Sequence, residues 1–502
     1  MKVGSRLQNI MLQKCGARTL LRAAEVRAIR HNMIITNGPI TMTPIGRSMG
    51  SHMMARSYYI PPKYEAKNKR YNWLFGLGVF GALSFGLWWF YYPHHNYPRS
   101  VSKLLRKALW EESDKKEFNY QGALKYYIEA LEQCQKLGMD PLGDEYTGIE
   151  LKIAEMYEHL NFEKEANLIY WELVHRYYKA LNTPGKIPEE KRQHMVQKDL
   201  RVLIKALEQN QDLMYGKKVL LSHLLLAQEE ILSRSPELKQ YFDTRKQDVI
   251  KSNEKEGRDI IVIKQKFDPD EFLKSIKVDE NGYMILDLHK DSSAWEPLKE
   301  EFFTARDLYT AYCLSTKDLL SALGCKMTTV QWMVLADMAP GQILLSQANL
   351  GSLLYLQTEQ VEGQLFALNQ TPKEDRDDDF KEKVAQLTKQ REVCLDLANR
   401  CYQSVVSFGK KNKKLRFQVN DLLDPSASQA IALSTYGMGV ISLHRGDFSK
   451  AERLLNDSLS LAKETDFQEL ISPSEVELEK VAKARADPKV LEPFHSSPTT
   501  EN

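Results

Sequence analysis

Enzymatic motifs are what this sequence has least of. No Gly-rich loop ends in Gly-Lys-Ser or Gly-Lys-Thr, no His-Glu-x-x-His zinc helix occurs, and no Gly-x-Ser-x-Gly elbow appears. Cysteine is sparse: Cys15, Cys134, Cys313, Cys325, Cys394 and Cys401 are the whole supply, and none forms a Cys-x-x-Cys pair. No His cluster has metal-ligand spacing, and the neighbours His94 and His95 suit an interface better than a metal. Cys394 and Cys401 lie seven apart on one expected helix, a rise of roughly 10 Å that a disulfide does not close. Free thiols, no cofactor, no metal and no catalytic residues are therefore expected. Carboxylates are abundant, but nothing in their spacing pairs any two for acid–base work. Net charge is also small, +2 over 502 residues, and no basic patch with interleaved aromatics points to nucleic acid.

The charge is unevenly placed. Up to Arg70 there are thirteen Lys and Arg against the two acids Glu25 and Glu65, so a basic leader precedes an acidic body. Residues 1–57 are Arg-rich, acid-poor and amphipathic, as in a mitochondrial presequence, with Arg56-Ser57-Tyr58 a candidate cleavage site. Residues 58–72 form a basic juxtamembrane segment. The stretch from Trp73 to Phe90 then carries no charge at all. As a helix its 18 residues cover about 27 Å, close to the hydrocarbon thickness of a bilayer. Tyr71 and Trp73 at one end, and Trp88, Trp89, Tyr91 and Tyr92 at the other, suit the headgroup level, and Pro93 ends the helix. Residues 73–92 are thus read as one transmembrane helix, on which Gly78, Ala82 and Gly86 make a small-residue stripe where another helix can approach. Basic residues flank the span on both sides, Lys63, Lys67, Lys69 and Arg70 before it and Arg99, Lys103, Arg106 and Lys107 after it, so charge alone does not orient it. A matrix-directed leader does: it puts the N-terminus in the matrix and residues 93 onward in the intermembrane space.

Beyond the span the pattern is helical and repetitive, and the expected fold class is all-α, a tetratricopeptide-like array of helical hairpins behind the membrane helix. Residues 100–181 hold two repeat-like units, with Ala123, Tyr127 and Ala130 in the first and Ala154, Tyr157, Ala166 and Tyr170 in the second. Small residues sit where two helices cross and an aromatic fills the space between them. Asn182-Thr183-Pro184-Gly185 is a loop. Residues 189–250 read as a helical array with two apolar stripes, Leu200, Leu203, Ile204 and Leu207 on one, and Leu220, Leu221, Leu224, Leu225 and Ile231 on the other. Periodicity weakens over residues 251–291, where Asn281-Gly282 suggests a small hairpin. Helices resume over 297–484, as Pro297–Ser315, Lys317–Leu323 and Thr328–Met338. A repeat follows that is split by an acidic insertion, Thr371–Asp379: Leu345, Leu350, Gly351 and Leu354 on one side, Leu397, Ala398, Cys401 and Tyr402 on the other. The terminal hairpin has Gly439, Gly446 and Ala451 at its packing positions. Residues 485–502 are expected to be a disordered tail.

A repeat array offers an elongated concave wall. The first-helix positions that would line it are Leu433, Tyr436, Val440, Leu443 and His444 in the terminal hairpin, and Leu345, Ala348, Ser352, Tyr355 and Leu356 in the split one. An apolar lining favours exposed hydrophobic segments of non-native chains, although the same residues serve equally well as helix-packing positions. If they line a groove, Tyr436→Asp or Leu443→Asp should weaken client capture without unfolding the array.

Several segments outside any repeat consensus carry a more specific likeness: ALWEESDKKEFNYQGALKYYIEALE (108–132), ELKIAEMYEHLNFEKEA (150–166), LLLAQEEILSRSPELK (224–239), GYMILDLHKDSSAWEPLKEEFFTARDLYTAYCLS (282–315), GQILLSQANLGSLLYLQ (341–357) and IALSTYGMGVISLH (431–444). Over roughly residues 100–480 the chain resembles the family of tetratricopeptide adaptor subunits of the yeast mitochondrial inner-membrane i-AAA protease supercomplex. The resemblance implies a non-catalytic helper in the inner membrane with its repeats in the intermembrane space. Its implied partners are the i-AAA protease catalytic subunit, a second membrane-anchored adaptor, unfolded protein substrates and inner-membrane lipid. Two other readings stay open, a cytosol-facing tetratricopeptide import receptor and an assembly scaffold.

Overall fold

A computed structural model describes residues 97–208, 210, 212–244, 269, 276–278, 284–286, 292–370, 378–411 and 425–486. The expected presequence, the span 73–92 with Gly78, Ala82 and Gly86, most of segment 251–291 and, of the expected tail 485–502, residues 487–502 lie outside the described residues, while 485 and 486 end the last helix. No helix among the described residues is long and apolar enough to cross a membrane.

The chain divides into two compact units, a smaller one described over 97–162 and a larger one described from Glu163 onward. The boundary falls inside the second expected repeat, so its two helices belong to different units.

The smaller unit contains α1 (Arg99–Glu112), α2 (Tyr120–Lys136) and α3 (Asp144–His159). Asn119 caps α2, its side chain accepting from the Gly122 N–H at 3.1 Å. Ala123, Tyr127, Ala130 and Ala154 are buried, while Tyr157 is half-buried against the Phe162 ring, 6.4 Å away. Alanine at the crossings lets neighbouring helices approach, and Tyr127 fills the remaining space with its hydroxyl donating to Glu112 at 2.7 Å. Asn161 ends α3 with φ of 61°, and the Phe162 N–H reaches back to the Tyr157 carbonyl at 2.8 Å.

The larger unit runs α4 (Glu163–Leu181), α5 (Glu189–Glu208), α6 (Leu213–Arg234), the strands β1 (Ile276–Val278) and β2 (Met284–Leu286), then α7 (Lys299–Ser315), α8 (Leu319–Leu335), α9 (Pro340–Asn369), α10 (Asp378–Lys411), α11 (Pro425–His444), α12 (Phe448–Glu464) and α13 (Gln468–Ala486). From α5 on, every helix packs against the one before it. Contacts to the next-but-one helix join α5 to α7, α9 to α11 and α11 to α13. Two core clusters lie in the C-terminal part. One gathers Leu344, Leu345 and Ala348 of α9 with Val405 and Phe408 of α10 and Ala427, Ala430 and Ile431 of α11. The other joins Leu443, Ala451, Leu455 and Val481.

Several expected boundaries move. The strands form a short antiparallel ladder, Ile276 opposite Leu286, among described residues that are otherwise helical or irregular. The two short helices expected between Lys317 and Met338 are one, α8, which runs through Gly324. Glycine there costs about 1 kcal/mol relative to alanine, but burial of Leu323, Met327 and Val330 on either side outweighs it. Asp378 and Asp379 belong to the first turn of α10, not to a loop, where the positive end of the helix dipole favours them. The split repeat is a pair of long helices of 30 and 34 residues.

Candidate functional site

The expected groove residues come together, but three of them face inward. Leu345 and Ala348 are buried in the seam of α9, α10 and α11, and Leu443 is buried against α12 and α13. These three fill helix–helix seams and do not line an open wall. Leu433, Tyr436 and Val440 are partly buried against the same two clusters, and Tyr355 and Leu356 are half-buried. The reason is geometric: α9 and α11 lie side by side, and the stripe that would have faced a client faces the neighbouring helix. Tyr355 and His444 meet there, phenol oxygen to Nδ1 at 3.5 Å, and His444 Nε2 lies 3.0 Å from Glu362.

The expected packing positions are occupied as small residues meeting large ones. Ala166, Tyr170, Ala398, Tyr402 and Ala451 are buried. A methyl added at Gly351 would lie 2.7 Å from the Tyr402 ring, and one at Gly439 would lie 2.9 Å from Leu455. Gly446 ends α11 at φ of +79°, and Asp447 beside it caps α12 by accepting from the Lys450 N–H at 3.2 Å.

The apolar surface that is open lies elsewhere. On α6, Leu220, Leu224 and Ile231 point inward as expected, but Leu221 and Leu225, expected on the same buried stripe, are exposed. With Met214, spaced seven and eleven residues before them, they make one outward face, and Leu225 and Met214 are each more than half exposed. Leu168 on α4 is 70% exposed, one turn before Trp171, whose ring meets Tyr215 of α6 at 5.6 Å. The signal was present in the sequence, since a helix apolar on all sides has one side too many for its core.

Beneath this face α5 and α6 are joined by buried charge. Asp199, fully buried, meets His223 Nδ1 at 2.6 Å, and the Tyr178 ring lies tilted against that imidazole, centroids 4.4 Å apart. Burial pushes the Asp199 carboxyl above its ordinary range, with the His223 bond pulling the other way. Glu230, also buried, is held by Arg192 at 2.9 Å and Arg234 at 3.0 Å. Farther on, Arg306 is buried between α7 and α8, donating to Thr329 at 2.8 Å and to the Cys325 carbonyl at 2.9 Å, its guanidinium 4.1 Å from the Trp332 ring centre. Burial holds its pKa below the usual guanidinium value. None of these groups forms a nucleophile–base–orienter set, and no group of three or more His, Cys, Asp or Glu is placed to hold a metal ion among the described residues.

A family profile described as the MGR3 middle domain matches residues 184–338, the stretch from α5 through α8 that contains the buried charges. The mitochondrial inner membrane i-AAA protease supercomplex subunit MGR3 of Saccharomyces cerevisiae is 51% identical over 438 residues, 85% of this chain and 86% of the relative. A second protein of that yeast, described as MRG3-like, is 34% identical over 435 residues, covering 86% of this chain and 92% of its own length. A TPR repeat-containing protein of Schizosaccharomyces pombe is 32% identical over 81 residues, 16% of this chain and 23% of its own length. With two relatives matched across more than four fifths of both chains, the chain belongs to the MGR3 family of i-AAA protease supercomplex subunits.

Proposed function

We propose that the chain is a non-catalytic adaptor of the mitochondrial i-AAA protease, anchored in the inner membrane by residues 73–92 with its helical array in the intermembrane space. It binds unfolded or misfolded proteins and promotes their delivery to the protease catalytic subunit, alongside a second membrane-anchored adaptor. The observation that carries this reading is the 51% identity, over most of both chains, to a subunit named for that supercomplex. Neighbour-to-neighbour helix packing supports a tetratricopeptide-like array, since each hairpin then buries its face only against the next. The exposed face of α6, Met214, Leu221 and Leu225, is a better client surface than the positions along α9 and α11, because its side chains need no unpacking to reach a partner.

Affinity purification of the full chain from mitochondria should recover an ATP-dependent protease subunit, and failure to recover one overturns the adaptor reading. Capture of a heat-denatured client should drop several-fold in Leu221→Asp/Leu225→Asp with the helical signal intact; unchanged capture removes α6 as the client surface. Digestion of the C-terminal array in intact mitochondria, before outer-membrane rupture, would favour the import-receptor reading instead.

A further inference from the structure

The cations that follow the apolar stretch gain a role from their placement on α1. Val101, Ser102 and Ala108 of this helix are buried toward α2. Arg99, Lys103, Arg106 and Trp110, spaced by four, three and four, share the opposite face, with Lys107 beside them. All five are exposed, Trp110 by half. Lys115, in the turn after the helix, brings its Nζ over the Trp110 ring at 5.2 Å, so the indole sits in the middle of a cationic surface.

No acid of α1 offsets this surface. The two carboxylates of α1 are engaged elsewhere: Glu112 accepts from Tyr127 at 2.7 Å and Lys152 at 2.9 Å, and Glu111 accepts from Asn119 at 2.8 Å. None of Arg99, Lys103, Arg106 and Lys107 is in an ion pair with a described residue, though Lys107 lies over the Tyr126 ring at 5.4 Å. Like charges three and four residues apart on a helix repel, and the arrangement is relieved by a negative surface facing it. A row of cations around a half-exposed tryptophan is the composition of a helix lying at a bilayer surface, cations among phosphates and indole at the headgroup level. Position agrees with composition. Eight residues separate Phe90 from Arg99, so even a fully extended connection keeps α1 within about 30 Å of the end of the apolar stretch.

We infer that this face of α1 docks on anionic lipid headgroups of the membrane that anchors the chain and fixes how the smaller unit stands on it. The inference rests on the proposal that residues 73–92 span the bilayer. Each cation held near an anionic leaflet is worth about a fivefold change in the docked-to-undocked ratio.

The test uses the full chain in nanodiscs of phosphatidylcholine alone or with 30% phosphatidylglycerol, and tryptophan quenching by lipids brominated near the headgroup or deep in the acyl chain. The Trp110 contribution is the difference between wild type and Trp110→Phe. It should be quenched by shallow bromines in anionic discs. It should be lost in neutral discs, in 0.5 M salt, or in the variant Arg99→Gln/Lys103→Gln/Arg106→Gln/Lys107→Gln. A Trp110 contribution unquenched in anionic discs overturns the inference, and an acidic protein as the true occupant would give that result. The span is judged separately, by deep-bromine quenching of the remaining emission, to which Trp73, Trp88 and Trp89 contribute, so either idea can fail without the other.

Discussion

The ring of Tyr402 on α10 occupies the space that a side chain at Gly437 on α11 would need. The same ring meets Gly351 of α9 on another side, and its hydroxyl donates to Ser352 at 3.0 Å, so one tyrosine joins three helices. Gly437→Ala should therefore destabilise the larger unit. Overpacking costs about 1–3 kcal/mol, more than the roughly 1 kcal/mol that alanine gains in a helix. Gly324→Ala is the control, because nothing lies within 4 Å of the added methyl and the same gain should appear as a stabilisation. Urea denaturation of the two variants checks the opposite signs.

Breaking the buried pair of α5 and α6 should cost far more than a surface substitution. His223→Leu leaves the Asp199 carboxylate buried without its partner, an expected loss of about 3–5 kcal/mol. Adding Asp199→Leu should recover much of it, since two apolar side chains of similar size need no ion pair. A double-mutant cycle in urea, with Asp199→Leu as the other single variant, reads the coupling, and a double-variant loss equal to the sum of the two single losses would show that the pair carries none.

Acid should weaken the junction of α6 and α8. Asp318 caps α8 and accepts from Lys217 at 2.6 Å. Burial opposes ionisation of its carboxyl, but the bonds from Lys217 and Ser321 outweigh that and hold it below the ordinary range. A carboxyl depressed in the folded state contributes stability above its unfolded value, about pH 4, and loses it as pH falls through the folded value. Asp318→Asn keeps a capping oxygen while removing the titration, so it should flatten that acid limb. Asp318→Ala should cost about 1 kcal/mol more at every pH by losing the cap. Melting profiles between pH 3 and 7 distinguish the two.

Thiol reactivity should separate one cysteine from its neighbours. Burial pushes Cys394 up to about 12 and Cys313 up to about 11, leaving both protonated at neutral pH. Cys134 and Cys401 are buried, whereas Cys325 is partly open. In a Cys15→Ser background at pH 8, one thiol should react with a disulfide reagent in the native protein and five after denaturation. Cys325→Ser should abolish the native reaction.

Much of the local structure is readable residue by residue. Gly446 is followed by Asp447, and the pair ends one helix and starts the next, because a positive φ and a capping carboxylate are properties of the residues themselves. Asn182 to Gly185 stops α4 for the same kind of reason, and Pro340 opens α9 at a position that needs no N–H. The small-then-aromatic spacing of Ala398 and Tyr402 likewise marks a close crossing from sequence alone. Kinship with a protease subunit was also legible, because segments such as residues 282–315 and 341–357 lie outside the repeat pattern.

Tertiary structure decided which apolar residues are covered. Leu220 and Leu221 are adjacent and chemically identical, yet one is fully buried and the other exposed, because only the packing partners of α6 distinguish its sides. The same holds for Leu345 and Leu443, whose stripe suits either a client or a neighbouring helix until α9 is placed beside α11. The Asp199–His223 pair and the Tyr402–Gly437 contact join residues 24 and 35 positions apart in the chain, beyond the reach of any local spacing rule. Backbone preferences act over a few residues and are written in the sequence. Burial is set by which surfaces meet, and that is known only once the helices are packed.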